Sequence, residues 1–364
     1  MVNYRSIRNF DWVMWLSALA ICVTGAIQIF SATQHTIWKG VFVKQILVIL
    51  VGLVLAWVIS RVDYHTILGQ VPVLYIGTLV LLLVTFAVGS KIFGSRRWIP
   101  LFGGVHLQIS EFAKLVLVLA VARYLPSVRT DRMEWQDLLK ICGLVGIPMM
   151  LVMKQPDLGT SLTYVPILLS GVYLAGLRWQ YWAAIGALAV ILMPAGWFLY
   201  LKDYQKARLT TFVDPYRDPK GAGYQVIQSQ IAVGNGGLWG RGSTKGDQTQ
   251  LRFLPVPHTD FIIAAFAEEH GFVGMMFILG LYMVLLMQIV QNAHEAPDKV
   301  GMYICMSVGM MLLFHVLVNA GMVIGRMPVT GIPLPLMSYG GSSILTTLMM
   351  LGLVNNVRSR RFIS

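Results

Sequence analysis

The stretch VPVLYIGTLVLLLVTFAVG, residues 71–89, holds no charged side chain. About 20 apolar residues in helical form reach across the hydrocarbon core of a bilayer. The pattern recurs on both sides of this stretch. Apolar runs at 11–32, 41–60, 71–89, 107–125, 138–153, 160–177, 182–201, 260–290, 300–325 and 335–357 predict about ten transmembrane helices. Composition agrees, with 56% of residues hydrophobic and only 12% charged. A soluble domain is nearer about a quarter charged. The expected fold is an all-α polytopic membrane protein, with one integral membrane domain over residues 1–364 and no separate soluble unit.

The first run follows Arg5 and Arg8. It is too long for the apolar core of a signal peptide and lacks a small-residue cleavage site, so it reads as a retained helix. Lys and Arg in short loops favour the cytoplasmic side. With the N-terminus inside, the cytoplasmic segments hold Arg5, Arg8, Arg61, Arg123, Arg129, Arg132, Arg178, Lys299, Arg358, Arg360 and Arg361. The opposite short loops hold only Lys39, Lys91, Arg96, Arg97, Lys154 and Arg326. This bias puts both termini in the cytoplasm. The net charge of +12 is then mostly topological, and its scatter among loops argues against a nucleic-acid patch. Cys22, Cys142 and Cys305 all lie in apolar runs and form neither a disulfide framework nor a metal spacing. The dispersed histidines include no HExxH, so a structural zinc is not expected.

One segment departs from the pattern. Residues 202–259 separate the seventh and eighth spans and, in this orientation, form a long extracytoplasmic loop. Its turn signals alternate with short amphipathic runs, which predicts an ordered loop. YQVIQSQIAV reads as a short helix on the membrane surface. The run GNGGLWGRG, 234–242, does not match GxGxxG and has no strand–helix unit around it, so it reads as a tight glycine-permitted turn.

Four polar stretches sit where lipid-facing sequence forbids them. In SEFAK, Glu111 and Lys114 lie three apart on one face of the fourth span. An ionisable residue within a span marks a functional site unless it belongs to a self-neutralising pair, and the spacing permits both. In KQPDLGT, Asp157 follows a proline at the end of the fifth span, where it is either a helix cap or a cavity residue. In VIGRMPVTGIPLPLMSYGGSS, 323–343, prolines and glycines break the chain between the ninth and tenth spans. Broken backbone at membrane depth is tolerated only where it is buried in protein or lines a polar cavity, and Ser338 and Tyr339 would face such a cavity. Finally, PVPHTDFIIAAFAEEHGF, 255–272, puts Asp260 at the expected first turn of the eighth helix. Capping explains Asp260 alone. Glu268 and Glu269, about 12 Å deeper by the helical rise, imply that this end of the helix faces a wet cleft.

Together, HTDFIIAAFAEEHGFVG, GIPLPLMSYGGSS, QPDLGTS, QISEFAKL and DPKGAGYQVIQSQIAVGNGGLWGRG resemble the shape, elongation, division and sporulation family of membrane peptidoglycan glycosyltransferases. The resemblance covers essentially the whole chain in order. NAGMVIGRMPVTGIPLPLMSYGGSS and the compact termini look more like the elongation branch than the division branch. The resemblance implies polymerisation of lipid II onto a growing glycan strand at the outer face of the bacterial cytoplasmic membrane, for elongation and rod shape. It implies a divalent cation, Mg2+ or Mn2+, a class B penicillin-binding protein as transpeptidase partner, and other elongation-complex membrane proteins. Carried over by motif, Asp260 is the catalytic acid residue, Glu111 and Lys114 the intramembrane pair, and Asp157 a further cavity residue. The sequence reads QISE where many relatives read QPSE, which leaves Glu111 and Lys114 in place.

The chemistry fits these residue types. The reaction joins a sugar hydroxyl to an anomeric carbon activated by a lipid diphosphate. The leaving group departs as an anion, so one carboxylate acting as base can suffice where a glycosidase needs two. The leaving charge calls for cations. The outer loops supply Arg96, Arg97, Lys202, Lys206, Arg208, Arg217, Lys220, Arg241, Lys245 and Arg252, with Arg97, Arg208 and Lys245 the foremost diphosphate ligands. Metal ligands are not legible, and Asp260 could be one instead of the base. A transporter for lipid-linked precursors is the main alternative. Such proteins carry midplane sites on broken helices within inverted repeats, and no repeat is evident here. A non-catalytic scaffold for other wall enzymes is the third reading.

Overall fold

The computed structural model describes residues 10–34, 36, 38, 40–92, 95–100, 106–127, 133–199, 203–221 and 223–361. Arg5, Arg8, Lys39, Arg129, Arg132 and Lys202 lie outside them, as do the side chains of Lys91 and Arg96.

The chain begins with α1 (Trp12–Thr33), α2 (Val41–Arg61), a short α3 (Tyr64–Gly69) and α4 (Val71–Val88). A small antiparallel sheet follows: β1 (Ser90–Ile92), β2 (Ser95–Pro100) and β3 (His106–Gln108), in that order. Next come α5 (Ile109–Tyr124), α6 (Trp135–Lys154), α7 (Leu158–Leu162), α8 (Tyr164–Leu174) and α9 (Trp179–Leu199). The long connection carries α10 (Asp203–Val213), α11 (Tyr224–Gly236) and α12 (Asp247–Gln250). Finally, α13 (Ile262–His294), α14 (Lys299–Val323) and α15 (Gly341–Arg360) close the chain.

Among the described residues, six helices, α1, α2, α4, α6, α13 and α14, are long and apolar enough to cross a membrane. Exposure separates the helices into two kinds. The apolar side chains of α2 and α4 mostly face outward, among them Val54, Trp57, Val73 and Ile76. In contrast, α5 and α15 are wrapped by protein on nearly every side. This explains how α15 carries Thr347 and Asn356 in its interior, since Thr347 Oγ1 donates to Ser343 O at 2.8 Å and Asn356 Nδ2 to Ile59 O at 2.6 Å.

The two ends of the described chain are bonded together. Asp11 accepts from Asn292 Nδ2 at 2.6 Å and pairs with Arg358 Nη1 at 3.2 Å, which joins the start of α1 to the ends of α13 and α15. At the opposite end of α1, Gln28 and Ser31 bond Glu269.

Several expectations need correction. The fold is mainly but not wholly helical, because strands β1–β3 fill the connection between α4 and α5. Their register pairs Trp98 with both Ser90 and Gln108. The sixth run divides at Thr163 into α7 and α8. The last span begins at Gly341 and not at 335, since 325–340 is irregular backbone. The eighth span is not one helix. Gly271 has φ 66° and ψ −164°, which breaks α13 into a buried segment, Ile262–His270, and a long segment from Phe272.

Candidate functional site

Motifs that lie far apart in sequence converge at the break between α14 and α15 and at the start of α13. The first link is Asp157. It receives Arg97 Nη1 at 3.1 Å, Gln108 Nε2 at 2.8 Å and its own helix's Thr160 N at 3.3 Å. The cap reading of Asp157 is therefore realised, and the same carboxylate also ties Arg97 and Gln108 to α7. The strands explain how Arg97 and Gln108 arrive together, because Trp98 lies opposite Gln108 in the β2–β3 pair. Gln108 N also reaches the last motif, donating to Ser342 Oγ at 2.9 Å.

The second link is Asp260. It does not start a helix: the N-terminal flanking residue of α13 is Phe261, and no side chain caps it. Asp260 occupies the preceding turn, half-buried. A Cβ added at Gly331 would stand 3.5 Å from Asp260 Oδ2, so the VTGIP loop passes directly over the carboxylate. Gly331 has φ +71°, a conformation that favours glycine. Burial raises the Asp260 pKa, while the positive fields of Arg208 and Arg97 oppose that rise and Asp157 adds to it. Arg97, Arg208, Asp157 and Asp260 thus share one site. Lys245 stands exposed elsewhere on the loop and is not among the charges that act on Asp260.

Ser338 and Tyr339 are scaffold for this turn. Ser338 Oγ donates to Thr259 O at 2.7 Å and accepts from Leu334 N at 2.9 Å. Tyr339 N donates to His258 O at 2.9 Å. Asn319 on α14, which sequence reasoning did not single out, donates from Nδ2 to Asp260 O at 3.0 Å and to Ile332 O at 2.8 Å. The charged pair in α5 is present as expected: Lys114 Nζ and Glu111 Oε2 are 2.8 Å apart, both buried. A third member was missed, since Lys114 Nζ also lies 3.3 Å from His315 Nε2 on α14. Asn319 and His315 are polar residues four apart in an apolar run, a signal the sequence did contain.

Glu268 and Glu269 do not mark a wet cleft. Both are buried. Glu268 accepts from Gln248 N at 2.7 Å, Thr249 N at 3.1 Å and Thr249 Oγ1 at 2.7 Å. Glu269 accepts from Ser31 Oγ at 2.5 Å and Gln28 Nε2 at 3.3 Å. These carboxylates hold the loop that leads into Asp260. The glycine run 234–242 ends α11 at Gly236 and turns from Gly237 onward, where Gly237, Gly240 and Gly242 all have positive φ. It exchanges backbone bonds with the break in α13: Arg241 N donates to Glu268 O at 2.9 Å, and Phe272 N to Gly237 O at 2.9 Å.

Among the described residues, no three His, Cys, Asp or Glu side chains gather into a metal-binding group. The carboxylate of Asp260 accepts no hydrogen bond from them, whereas that of Asp157 is fully engaged. A hard cation of the Mg2+ kind binds through one or two carboxylates plus substrate phosphates. That donor requirement fits Asp260 with a diphosphate and does not need a protein cage.

The family model described as cell cycle protein, covering FtsW, RodA and SpoVE, matches residues 10–362. The chain belongs to this family. Peptidoglycan glycosyltransferase MrdB of Escherichia coli (strain K12) is 39% identical over 357 residues, spanning 97% of this chain and 94% of that protein. A chain in a solved peptidoglycan synthase complex, whose subject is the coordination of polymerization and crosslinking, superposes with TM-score 0.84 at 35% identity. The match covers 98% of this chain and 99% of that one. The crystal structure of Thermus thermophilus rod shape determining protein RodA gives TM-score 0.73 at 30% identity, covering 97% of this chain and 98% of that one. Family membership and the six long apolar helices make this a multi-pass membrane protein.

Proposed function

We propose that the protein is a peptidoglycan glycosyltransferase that polymerises lipid II into glycan strands at the outer face of the bacterial cytoplasmic membrane, in the service of elongation. The observation that carries this reading is the arrangement around Asp260, a carboxylate without a hydrogen-bond partner among the described residues, beneath Gly331 and in the fields of Arg208 and Arg97. The relatives' names as peptidoglycan glycosyltransferases support the reaction class.

In this mechanism the hydroxyl oxygen of one sugar attacks the anomeric carbon of the other. A new C–O bond forms as the bond from that carbon to the diphosphate oxygen breaks. The hydroxyl proton passes to Asp260, and the electron pair leaves with the lipid diphosphate. Arg208 and Arg97 stabilise that departing charge, with Asp157 and Gln108 fixing the Arg97 side of the site. Mg2+ or Mn2+, carried in with the substrate, would be held by its phosphate oxygens beside Asp260 and would add Lewis-acid stabilisation. A polyprenyl substrate needs its reacting group at the membrane surface, which is where a carboxylate in the turn ahead of α13 belongs.

The same reading assigns ten crossings, with both termini in the cytoplasm and 202–259 outside. The bonds between Asp11, Asn292 and Arg358 support termini on one side. We further propose a class B transpeptidase partner, supported by the related chain's place in a synthase complex. The experiment is incubation of purified protein with lipid II and Mn2+ or Mg2+, alone and with the transpeptidase. Glycan polymer is the expected product, in greater amount with the partner. Movement of lipid II across a vesicle membrane without polymer would favour the transporter.

A further inference from the structure

The Glu111–Lys114 pair lies inside the helix bundle, while Asp260 lies in the turn ahead of α13. Helix α14 touches both. His315 Nδ1 stands 2.8 Å from Met311 O. A carbonyl only accepts, so Nδ1 carries the hydrogen, and in the neutral ring Nε2 is then an acceptor. That acceptor is 3.3 Å from Lys114 Nζ. The ammonium is thus held from two helices, by Glu111 on α5 and by His315 on α14. One helical turn further, on the same face of α14, Asn319 donates to the carbonyls of Asp260 and Ile332. Both bonds come from one Nδ2 group, and Asn319 is fully buried. This amide clamps the turn that carries Asp260 to the VTGIP loop that covers it.

We propose that Asn319 is a positioning residue for Asp260, and that His315 couples it to the Glu111–Lys114 pair. This rests on the reading of Asp260 as the reacting carboxylate. The buried pair sets the axial and rotational position of α14, and Asn319 transmits that position to the turn. An ion pair buried among helices thereby matters to chemistry at the membrane surface. A purely structural pair would contribute to stability with no specific link to Asp260.

Two measurements test this. In the first, purified wild type, Asn319→Leu, His315→Leu and the neutral double substitution Glu111→Gln with Lys114→Met are compared by hydrogen exchange at backbone amides of residues 256–262 and 330–334. The double substitution avoids stranding one buried charge. All three variants are expected to exchange faster than wild type there. Faster exchange in Asn319→Leu alone, or in none, overturns the coupling. In the second, lipid II polymerisation is followed. Each variant is expected to lose about tenfold or more in kcat with KM within about twofold, since a misplaced base slows chemistry without releasing substrate. His315→Gln, which keeps an acceptor for Lys114, is expected to recover most of the rate and to show whether His315→Leu failed merely through misfolding. Combining Asn319→Leu with the neutral pair should cost little more than the worse of the two alone, as expected of one network. Losses that multiply, or that fall on KM, overturn the proposal. A wild-type protein that makes no polymer would refute the glycosyltransferase reading, and hydrogen exchange would still decide the coupling.

Discussion

At Asp157 the negative charge is already answered by Arg97, Gln108 and a helix N–H, whereas the Asp260 carboxylate accepts no hydrogen bond among the described residues and lies in the fields of Arg208, Arg97 and Asp157. This division supports the proposal of Asp260 as the base, with Asp157 as its scaffold. It also sets a pH dependence. A base works ionised, and burial raises the Asp260 pKa above its ordinary value. Polymerisation should therefore fail as pH falls through that raised pKa, at higher pH than an exposed aspartate would titrate. Arg208→Gln removes a field that favours the charged form, so the acid limb of the kcat profile should move to still higher pH. A limb that stays in place would mean that another group is the base. Glu111 and Lys114 give a second prediction. Removing one partner leaves the other buried and unpaired at a cost of about 3–5 kcal/mol, so Glu111→Gln should lower thermal stability or activity, and exchanging the two residues should restore part of it. The ionisable residues were legible in sequence because charge stands out in apolar runs. His315 and Asn319 were less so: their spacing of four in an apolar run marks one polar helix face, but not which charge or carbonyl each one meets.

Among the elements, the lengths of the long apolar helices could be read from hydropathy, because bilayer thickness fixes them. Their interruptions were harder. The run 260–290 resumes its apolar character directly after Glu268-Glu269-His270-Gly271, and only the structure shows why the helix must break there. Arg241 N and Gly242 N bond the carbonyls of Glu268 and Glu269, while Phe272 and Val273 donate to the carbonyls of Gly237 and Leu238. The glycine-rich turn and the broken helix therefore need each other. Gly271→Ala would place a side chain at φ +66° and drive its Cβ into the Gly240 backbone. Backbone strain of this kind costs about 1–3 kcal/mol before any collision is counted. The melting temperature of the purified variant should fall accordingly; an unchanged value would show that the turn and helix adjust freely. The β1–β3 sheet escaped sequence reading because its strands are short and lie between apolar runs that dominate the signal. It delivers Arg97 and Gln108 to Asp157, so missing it meant missing how the site's basic side is held.

For the whole molecule, the positive-inside bias and the bonds between the chain's ends point to one topology. Cysteines introduced at Ser243 and Ser359 should react with impermeant reagent from opposite faces of the membrane, and labelling from one face would remove the outer site. The multi-pass membrane class was the most legible level, since length and hydropathy act over many residues at once. The meeting of four distant motifs at one site was not, because it depends on irregular backbone at 325–340. The account stands or falls on Asp260. Asp260→Asn keeps its shape and the backbone bond to Asn319, so the protein should fold and remain monodisperse. With lipid II, Mg2+ or Mn2+ and the transpeptidase present, its polymerisation rate should fall about a hundredfold or more. Partial recovery at raised cation concentration would assign the carboxylate to metal binding instead, and polymerisation at the wild-type rate would contradict the assignment of Asp260 as the reacting group.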